Sequence, residues 1–227
     1  MVVSCYNEEE ALPATHQTLT RVLQSLNAVD FELIYIDDGS SDRSLPILEA
    51  IQSEDRQVRV ISFTRNFGRQ IAVAAGLEHA AGDAVVIIDA DLQDPPEVIE
   101  EMLELWRDGA QVVYGVRKKR EGETLFKIWT AKWFYRVISR LSNTKIPLDT
   151  GDFRLIDRKV VDAITAMPER DRFTRGMVTW VGFKQVPLAY TRQARHSGQT
   201  KYPFGKMVRF AADGLLSFSM APLRLAI

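Results

Sequence analysis

The sequence predicts an α/β fold in which a mainly parallel sheet is flanked by helices. Short apolar stretches alternate with stretches of helical length along the first half of the chain, which is the pattern of βαβ units. Residues 85–88 are four β-branched residues in a row, which is typical of a strand buried on both faces. The composition agrees, since 46% hydrophobic and 26% charged residues in a chain of 227 are ordinary for a globular protein.

The predicted elements alternate along the chain. Each predicted strand is a short apolar run, and these runs cover residues 2–6, 31–36, 58–63, 85–88 and 111–115. Each predicted helix has apolar or small residues at helical spacing, and these segments cover residues 7–26, 43–53, 70–80 and 97–107. Because a helix separates each strand from the next, we expect parallel neighbours joined by crossovers.

Charge and cysteine content exclude several classes of protein. The net charge of −1 argues against general nucleic-acid binding. The single cysteine, Cys5, rules out an intramolecular disulfide framework and fits a reducing compartment. We expect no signal peptide before the first strand, and no run of 18 apolar residues spans a membrane.

A cluster of oxygen ligands closes the predicted strand at 85–88. Asp89, Asp91 and Gln93 follow it at i, i+2 and i+4, and Pro95 and Pro96 then open a helix. Ligands bind at the carboxyl ends of strands in open α/β sheets. Carboxylate and amide oxygens suit Mg²⁺ or Mn²⁺ shared with the phosphates of a substrate. The alternative is that the two aspartates only end the strand and cap the helix.

The chain has neither of the common glycine-rich phosphate-binding motifs, so a dehydrogenase of the Rossmann type and a P-loop enzyme are both disfavoured. Tyr6 and Glu8 follow the first strand instead, and Asp37 and Asp38 close the second. Acidic side chains repel phosphate but can accept hydrogen bonds from a nucleobase and from ribose hydroxyls. We therefore expect a nucleotide whose diphosphate is left to a metal at Asp91. A nucleotidyltransferase would need an N-terminal glycine-rich loop, which is absent.

Six motifs resemble one enzyme family. Four of them are YNEE at 6–9, IDDGSSD at 36–42, RNxG at 65–68 and DADLQDPPE at 89–97. Together they resemble the inverting glycosyltransferases of family 2, which have the Rossmann-like GT-A fold. TGDFRL at 150–155 and GxTKY at 198–202 resemble the polyisoprenyl-phosphate hexosyltransferases within that family, relatives of dolichol-phosphate mannose synthase, and the bacterial undecaprenyl-phosphate (bactoprenol) glucosyltransferases in particular.

The resemblance implies a role for individual residues. Residues implied to contact the nucleotide-sugar are Tyr6, Glu8, Asp38, Asp89 and Arg117. Mg²⁺ or Mn²⁺ is implied to be held by Asp91 and Gln93, with Asp89 beside them. Asp152 matches the catalytic carboxylate that faces the acceptor, and we expect it to orient the acceptor or the sugar at least as much as it accepts a proton.

Basic residues in the second half indicate an anionic acceptor. The candidates for binding an acceptor phosphate are Arg154, Arg192, Arg195, Thr200 and Lys201. Arg117 is a candidate to converge with them. Guanidinium groups match phosphate oxygens in bidentate fashion, although arginines in loops are also commonly just solvated. A phosphate monoester is mostly dianionic at neutral pH, because its second pKa is about 6. Its oxygen can attack the anomeric carbon directly and invert it.

Two segments indicate a membrane surface. Residues 125–141 place aromatic residues at helical spacing beside a basic row, Lys132, Arg136 and Arg140. Such a helix can lie in a bilayer interface, or it can pack on the core with a solvated basic face, and both alternatives stay open. The apolar tail, residues 206–227, is expected to be a juxtamembrane helix that leads into transmembrane helices, as is common in the family that the motifs resemble, and a complete peripheral enzyme is the alternative.

The sequence therefore predicts a nucleotide-sugar-binding half (1–118), an acceptor-binding half (119–205) and a juxtamembrane segment (206–227). The expected activity is transfer of a hexose, with glucose favoured, from a nucleotide-sugar such as UDP-glucose to polyprenyl phosphate. The expected location is the cytoplasmic face of the cell membrane, and the expected partners are lipid and further copies of the chain, not nucleic acid. The alternatives are transfer to a saccharide hydroxyl and a non-catalytic sugar-nucleotide-binding membrane module.

Overall fold

The computed structural model describes residues 1–26, 29–117, 150–169 and 172–192. The strands of these residues are β1 (Val2–Cys5), β2 (Leu33–Asp37), β3 (Val58–Ser62), β4 (Ala84–Asp89), β5 (Val112–Arg117), β6 (Thr150–Asp157) and β7 (Gln185–Tyr190). The helices are α1 (Leu12–Ser25), α2 (Ser44–Glu54), α3 (Arg69–His79), α4 (Ile99–Arg107), α5 (Arg158–Thr165) and α6 (Thr174–Trp180). A short 3₁₀ helix, Pro96–Val98, precedes α4.

The seven strands form one mixed sheet in the order β3-β2-β1-β4-β6-β5-β7. β1 pairs in parallel with both β2 and β4, and β2 pairs in parallel with β3. β6 runs antiparallel between β4 and β5, and β7 is parallel to β5. The predicted α/β fold with a mainly parallel sheet is confirmed, whereas β6 and β7 had no counterpart among the predicted elements.

Both faces of the sheet are covered by helices, as the apolar run of β4 predicts. On one face Ile88 and Tyr35 belong to a core that Leu19 and Met102 join from α1 and α4. On the other face Ile87 belongs to a second core, to which α3 and α5 contribute Ala72, Val73, Leu77, Val160 and Val161. Successive residues of a strand point to opposite faces. Burying each aliphatic side chain stabilises the fold by about 1.5–3 kcal/mol.

Helix α3 packs unusually closely on β1, which explains its small residues. A Cβ atom added at Gly76 would lie 2.2 Å from Cγ1 of Val2, a side chain that is fully buried. Glycine at this position therefore sets the separation between the helix and the strand. The first residue of α3, Arg69, is carried by this contact to the carboxyl edge of the sheet.

Helix α1 begins later than the sequence predicts. It begins at Leu12, with Pro13 in its first turn, whereas residues 7–10 form part of a turn in which the Glu8 carbonyl accepts the Ala11 and Leu12 N–H groups. Asn7 has a φ of 52°, which is incompatible with a right-handed helix.

Some predicted features lie outside the part of the chain that the structure describes. These are the predicted interfacial helix at 125–141, the predicted juxtamembrane tail at 206–227 and about half of the predicted acceptor-binding half, namely residues 119–149, 170–171 and 193–205. Among the described residues, no helix is both long enough and apolar enough to cross a bilayer.

Candidate active site

The acidic strand ends lie together at one edge of the sheet. Cys5 is the register partner of Asp37, and Ser4 is the partner of Asp89, so β1, β2 and β4 end side by side. The Ser4 hydroxyl donates to Oδ1 of Asp89 at 3.1 Å. This arrangement places the residues that follow the three strands around one cleft edge, where an open α/β sheet binds its ligands.

The loops after β1 and β2 hold each other in place. The Asn7 N–H donates to Oγ of Ser40 at 2.9 Å, and the Ser41 N–H donates to the side-chain Oδ1 of Asn7 at 2.8 Å. The Glu8 N–H donates to Oγ of Ser44 at 2.8 Å. Tyr6 and Glu8, the predicted contacts of the base and ribose, are partly exposed in this fixed loop. Their contacts with a nucleotide stay a prediction.

Asp38 organises the loop before α3. Its buried carboxylate accepts hydrogen bonds from Asn66 Nδ2 at 2.9 Å, from the Phe67 N–H at 2.8 Å and from the Gly68 N–H at 3.0 Å. Burial raises the pKa of Asp38, and the two backbone N–H groups partly counteract that rise. Asp38 therefore fixes the chain immediately before Arg69. Its predicted contact with the nucleotide stays a prediction.

Arg69 links the donor side of the site to Asp152. Its guanidinium lies 2.5 Å from Oδ1 of Asp89 and also forms an ion pair with Oδ2 of Asp152. Gly68, with a φ of 98°, caps the helix that begins at Arg69. The sequence motif RNxG ends one residue before this arginine, so the functional residue was missed although its motif was recognised.

Asp152, the predicted catalytic carboxylate, is surrounded by three arginines. Besides Arg69, Nε of Arg175 donates to its Oδ1 at 2.9 Å, and the Arg154 guanidinium lies 3.9 Å from the same oxygen. Burial alone would raise the pKa of Asp152, but Arg69 and Arg175 outweigh it and hold that pKa well below the usual range of a carboxyl group. Asp152 is therefore an ionised carboxylate at neutral pH.

Gln70 connects the two helices that supply Arg69 and Arg175. Its Nε2 donates to Oδ2 of Asp152 at 3.4 Å, and its Oε1 accepts the Thr174 N–H at 3.1 Å. The starts of α3 and α6 are therefore joined over Asp152. No sequence signal pointed to Arg175, which lies 23 residues from Asp152 in a short helix.

The predicted metal ligands leave β4 in a tight turn. Asp91 is nearly buried, and its Oδ1 accepts the Gln93 N–H at 3.2 Å across Leu92, which has a φ of 52°. Burial raises the pKa of Asp89, and the carboxylates of Asp91 and Asp152 raise it further, against the opposing effect of Arg69. A divalent cation would relieve this crowding of carboxylates.

The oxygen ligands that follow β4 fit a metal ion that is shared with a substrate. Within the described ranges, no group of three His, Cys, Asp or Glu side chains is placed to hold a metal by itself. Asp91 and Gln93 offer hard oxygen atoms, and Mg²⁺ typically takes only one or two carboxylates and completes its shell with phosphates and water. The residues present therefore fit Mg²⁺ or Mn²⁺ bound together with a diphosphate.

A second buried carboxylate, Asp94, lies at the ends of β5 and β7. Its Oδ1 accepts the Tyr190 hydroxyl and lies 3.4 Å from Nε of Arg192 and 3.9 Å from Nη2 of Arg117. Arg117 and Arg192 were both predicted phosphate contacts, and the structure brings them together. Asp94 and Tyr190 were missed, because only the folded chain shows that the loop after β4 meets the end of β7.

The remaining predicted phosphate contacts differ in position. Arg154 is buried, donates from Nη2 to the Gly151 carbonyl at 3.1 Å and faces Asp152. Burial lowers the pKa of its guanidinium to about 10, while Asp152 opposes that change, so it stays charged at neutral pH. Arg195, Thr200 and Lys201 lie outside the described residues. All four assignments to the acceptor phosphate stay predictions.

Known proteins similar to this chain agree with the fold and the motifs. The uncharacterized glycosyltransferase YkcC of Bacillus subtilis is 50% identical over 226 residues, covering 100% of this chain and 70% of that protein. The bactoprenol glucosyl transferase of Shigella phage SfV is 43% identical over 224 residues, covering 99% and 73%. The prophage bactoprenol glucosyl transferase homolog of Escherichia coli is 44% identical over 225 residues, also covering 99% and 73%.

A solved structure has the same architecture. Glucosyl-3-phosphoglycerate synthase of Mycobacterium tuberculosis, solved with Mn²⁺, UDP and glucosyl-3-phosphoglycerate, matches with a TM-score of 0.63 at 22% identity, covering 95% of this chain and 77% of that one. The family model for glycosyl transferase family 2 matches residues 1–165. Because that match spans well over half of the sequence, the chain belongs to glycosyl transferase family 2 and is a glycosyltransferase of the GT-A fold.

Proposed function

We propose that this glycosyltransferase transfers glucose from UDP-glucose to polyprenyl phosphate, with inversion of the anomeric carbon and with help from Mg²⁺ or Mn²⁺. The names of relatives at 43–44% identity, which are bactoprenol glucosyl transferases, support the acceptor and the sugar. The Mycobacterium tuberculosis neighbour has also been solved with Mn²⁺ and UDP-glucose, which supports the donor and the metal.

In this proposal the donor binds to residues 1–118, chiefly to the loops that follow β1, β2 and β4. Tyr6, Glu8 and Asp38 contact the base and ribose, since they follow β1 and β2 at the cleft edge. Asp91 and Gln93 would hold the metal, with Asp89 beside them. The bound metal would offset the negative charge that builds up on the departing diphosphate. Arg69 holds Asp89 by an ion pair and so places it between the donor and Asp152.

The observation that carries the proposal is the group of three arginines around Asp152. Arg69, Arg154 and Arg175 supply three positive charges, against one negative charge on Asp152 and one on Asp89. Around Asp152 itself there is an excess of positive charge, because three guanidinium groups share one carboxylate. An anionic acceptor gains from it, whereas a neutral sugar hydroxyl would not.

The charge state of Asp152 supports a particular chemistry. A carboxylate whose pKa is held well below the usual range is a weak base. A sugar hydroxyl must lose a proton as it attacks, but a phosphate dianion needs none removed. We infer that an oxygen of the phosphate forms the new bond to the anomeric carbon while the bond to UDP breaks. Asp152 orients Arg69 and Arg175 for this step.

The acceptor itself extends the proposal to the membrane. Polyprenyl phosphate resides in a bilayer, so the acceptor-binding half, residues 119–205, would reach the lipid headgroups through the predicted helix at 125–141, and the tail at 206–227 would lie beside the membrane. The catalytic part would face the cytoplasm, where nucleotide-sugars are made, and homo-oligomers would form on this surface.

The test compares undecaprenyl phosphate with free undecaprenol as acceptors for labelled UDP-glucose, in the presence of Mn²⁺. We expect label in the extracted lipid only with the phosphate, and a β-linked product by NMR of the anomeric proton. GDP-mannose and UDP-galactose serve as control donors. Equal glucosylation of the free alcohol would point to a hydroxyl acceptor with Asp152 as its base. Tight UDP-glucose binding without transfer to either lipid would point to a non-catalytic module.

A further inference from the structure

One oxygen of the buried Asp94 carboxylate contacts three side chains, on the side of the site where β5 and β7 end. Oδ1 of Asp94 accepts the Tyr190 hydroxyl and forms ion pairs with Arg117 and Arg192 at 3.9 and 3.4 Å. The Arg117 Nε also donates to the Tyr190 hydroxyl oxygen at 3.4 Å. Each of the two arginines is therefore linked to Asp94, and one of them is linked to Tyr190 as well.

The backbone prepares this arrangement. Arg117 and Tyr190 are register partners in the parallel pair β5–β7, so their side chains leave the sheet at the same level. Gly115 provides room for the Tyr190 ring, because a Cβ there would lie 2.6 Å from the ring. Gly151 provides room for Arg117, because a Cβ there would lie 2.9 Å from Nη2. Two glycines thus allow the tyrosine and the arginine to lie against the sheet.

The charges of this group do not cancel. Burial, together with the charge of Asp94, raises the pKa of Tyr190 to about 12, so its hydroxyl stays protonated and neutral. Two guanidinium groups then face one carboxylate, which leaves one positive charge. The Arg117 and Arg192 side chains are 16% and 30% exposed, whereas that of Asp94 is 3% exposed. An approaching anion therefore meets the arginines and not the carboxylate.

We propose that Asp94 and Tyr190 are positioning residues that hold Arg117 and Arg192 as a pair for the acceptor phosphate. This inference rests on the proposed function, in which the acceptor is a phosphate monoester. The sheet order favours the acceptor over the donor, because β4 and β6 separate β5 and β7 from the β1 and β2 loops predicted to hold the nucleotide. Asp94 also belongs to the loop that carries Asp91 and Gln93, so the arginine pair lies near the point of transfer.

Tyr190→Phe tests the proposal with the smallest change. The ring and its contact with Phe153 remain, while Asp94 and Arg117 lose the shared hydroxyl. We expect the KM for undecaprenyl phosphate to rise about three- to tenfold, in line with one lost hydrogen bond. The kcat should stay within about twofold, and the Kd for UDP-glucose should not change. A purely structural role would instead lower the melting temperature and the active fraction without this split.

Two further variants make the result specific. Tyr35→Phe removes another buried tyrosine hydroxyl of the same sheet, one that contacts His16, and should leave the acceptor KM unchanged. Gly151→Ala crowds Arg117 from the other side and should raise the acceptor KM as Tyr190→Phe does. If the acceptor KM is unchanged in both Tyr190→Phe and Gly151→Ala, or if the Kd for UDP-glucose rises instead, the positioning role is wrong.

A binding measurement separates this inference from the proposed function. Calorimetry measures the binding of farnesyl phosphate without any glucose transfer, and farnesol serves as the uncharged control ligand. We expect the wild type to bind the phosphate and Tyr190→Phe to bind it three- to tenfold more weakly. Wild type that binds farnesyl phosphate but transfers no glucose would contradict the proposed function alone. Equal binding by both proteins, or no binding by the wild type, would overturn the positioning role.

Discussion

Asp152 shows how neighbouring charges decide what a residue can do. The family resemblance predicts that it is the catalytic carboxylate facing the acceptor, and a base is the usual role of such a group. In the structure Arg69 and Arg175 hold its pKa well below the usual range of a carboxyl group. It is therefore a weak base near neutral pH. In the proposed function its contribution is to orient two arginines, and the ionisation that limits activity is expected to belong to another group.

The first prediction concerns the dependence of activity on pH. Because Asp152 stays ionised, kcat/KM for a polyprenyl phosphate should fall only as the acceptor itself is protonated, from about pH 6 downward and by about tenfold per unit. The measurement is kcat/KM between pH 4.5 and 8. Replacing the phosphate with a phosphonate, whose second pKa is higher, should move the acid limb to higher pH. An acid limb near pH 4 that is the same for both acceptors would mean that a protein carboxylate titrates instead.

The second prediction concerns the metal. Asp91→Asn keeps the size of the side chain and its hydrogen bond from the Gln93 N–H, but it removes the charge of the principal predicted ligand. We expect the Kd for UDP in the presence of Mn²⁺ to rise at least about tenfold and to become independent of the metal. Calorimetry with and without Mn²⁺ measures this effect.

The control for Asp91→Asn is a surface aspartate. Asp162→Asn, on α5, changes a side chain that is 64% exposed and pairs only with its neighbour Arg158 at 3.5 Å among the contacts described. It should leave the metal dependence intact, and both variants should melt near the wild-type temperature. Unchanged metal-dependent UDP binding in Asp91→Asn would remove Asp91 from the metal site.

At the scale of the element, the positions of α3 and α6 determine which side chains reach Asp152. Helix α3 was predicted from its spacing of small and apolar residues, and its start at Arg69 lies within one residue of the prediction. Helix α6 and the strands β6 and β7 were not predicted. Their partners lie far away in sequence, for example 104 residues for the Gln70–Thr174 contact, and periodicity within a segment carries no information about such pairs.

The third prediction tests the close packing of α3 on β1. A methyl group at Gly76 would meet Cγ1, Cγ2 and Cβ of Val2 at 2.2, 3.0 and 3.2 Å, so no rotation of the valine relieves the contact. Overpacking costs about 1–3 kcal/mol, and the better helix propensity of alanine offsets about 1 kcal/mol. We expect Gly76→Ala to lower the free energy of unfolding by up to about 2 kcal/mol, as measured by urea denaturation.

Two further variants serve as controls for this prediction, one at another glycine and one that combines Gly76→Ala with a change at Val2. Gly82→Ala places its Cβ 3.4 Å from the nearest neighbouring atom, the Ala84 carbonyl oxygen, and should change stability by less than about 0.5 kcal/mol. Combining Gly76→Ala with Val2→Ala should recover part of the loss, because the two residues share one contact. Simple additivity of the two changes would show that the helix is not held by this contact.

At the scale of the whole molecule, the sequence predicted the architecture and the family better than the contacts. The alternation of strands and helices predicted the fold, and the motifs at 6–9, 36–42, 65–68 and 89–97 predicted the family. The assembly around Asp152 was not predictable in the same way, because Arg69, Arg154 and Arg175 come from three different elements. Only the folded sheet shows that their guanidinium groups share one carboxylate.

The fourth prediction concerns attachment to the membrane, to which the proposed acceptor would bring the protein. Residues 125–141 carry the basic row Lys132, Arg136 and Arg140. Each cation near an anionic surface contributes about 1 kcal/mol, so replacing all three with glutamine should weaken binding to anionic liposomes about a hundredfold. Flotation of the wild-type chain should decrease with added salt, because salt screens attraction between surface charges.

The matched control removes the same number of charges elsewhere. Arg21, Arg56 and Lys184 are exposed cations of the described residues. Replacing these three with glutamine gives the same net charge as the first triple variant, but it should leave flotation close to wild type if residues 125–141 form the contact. Equal loss of flotation in the two triple variants would mean that net charge alone governs binding. If the wild type does not float with liposomes at low salt, the aromatic side chains of this segment would instead belong to the protein core. The acceptor would then have to reach the active site by another surface.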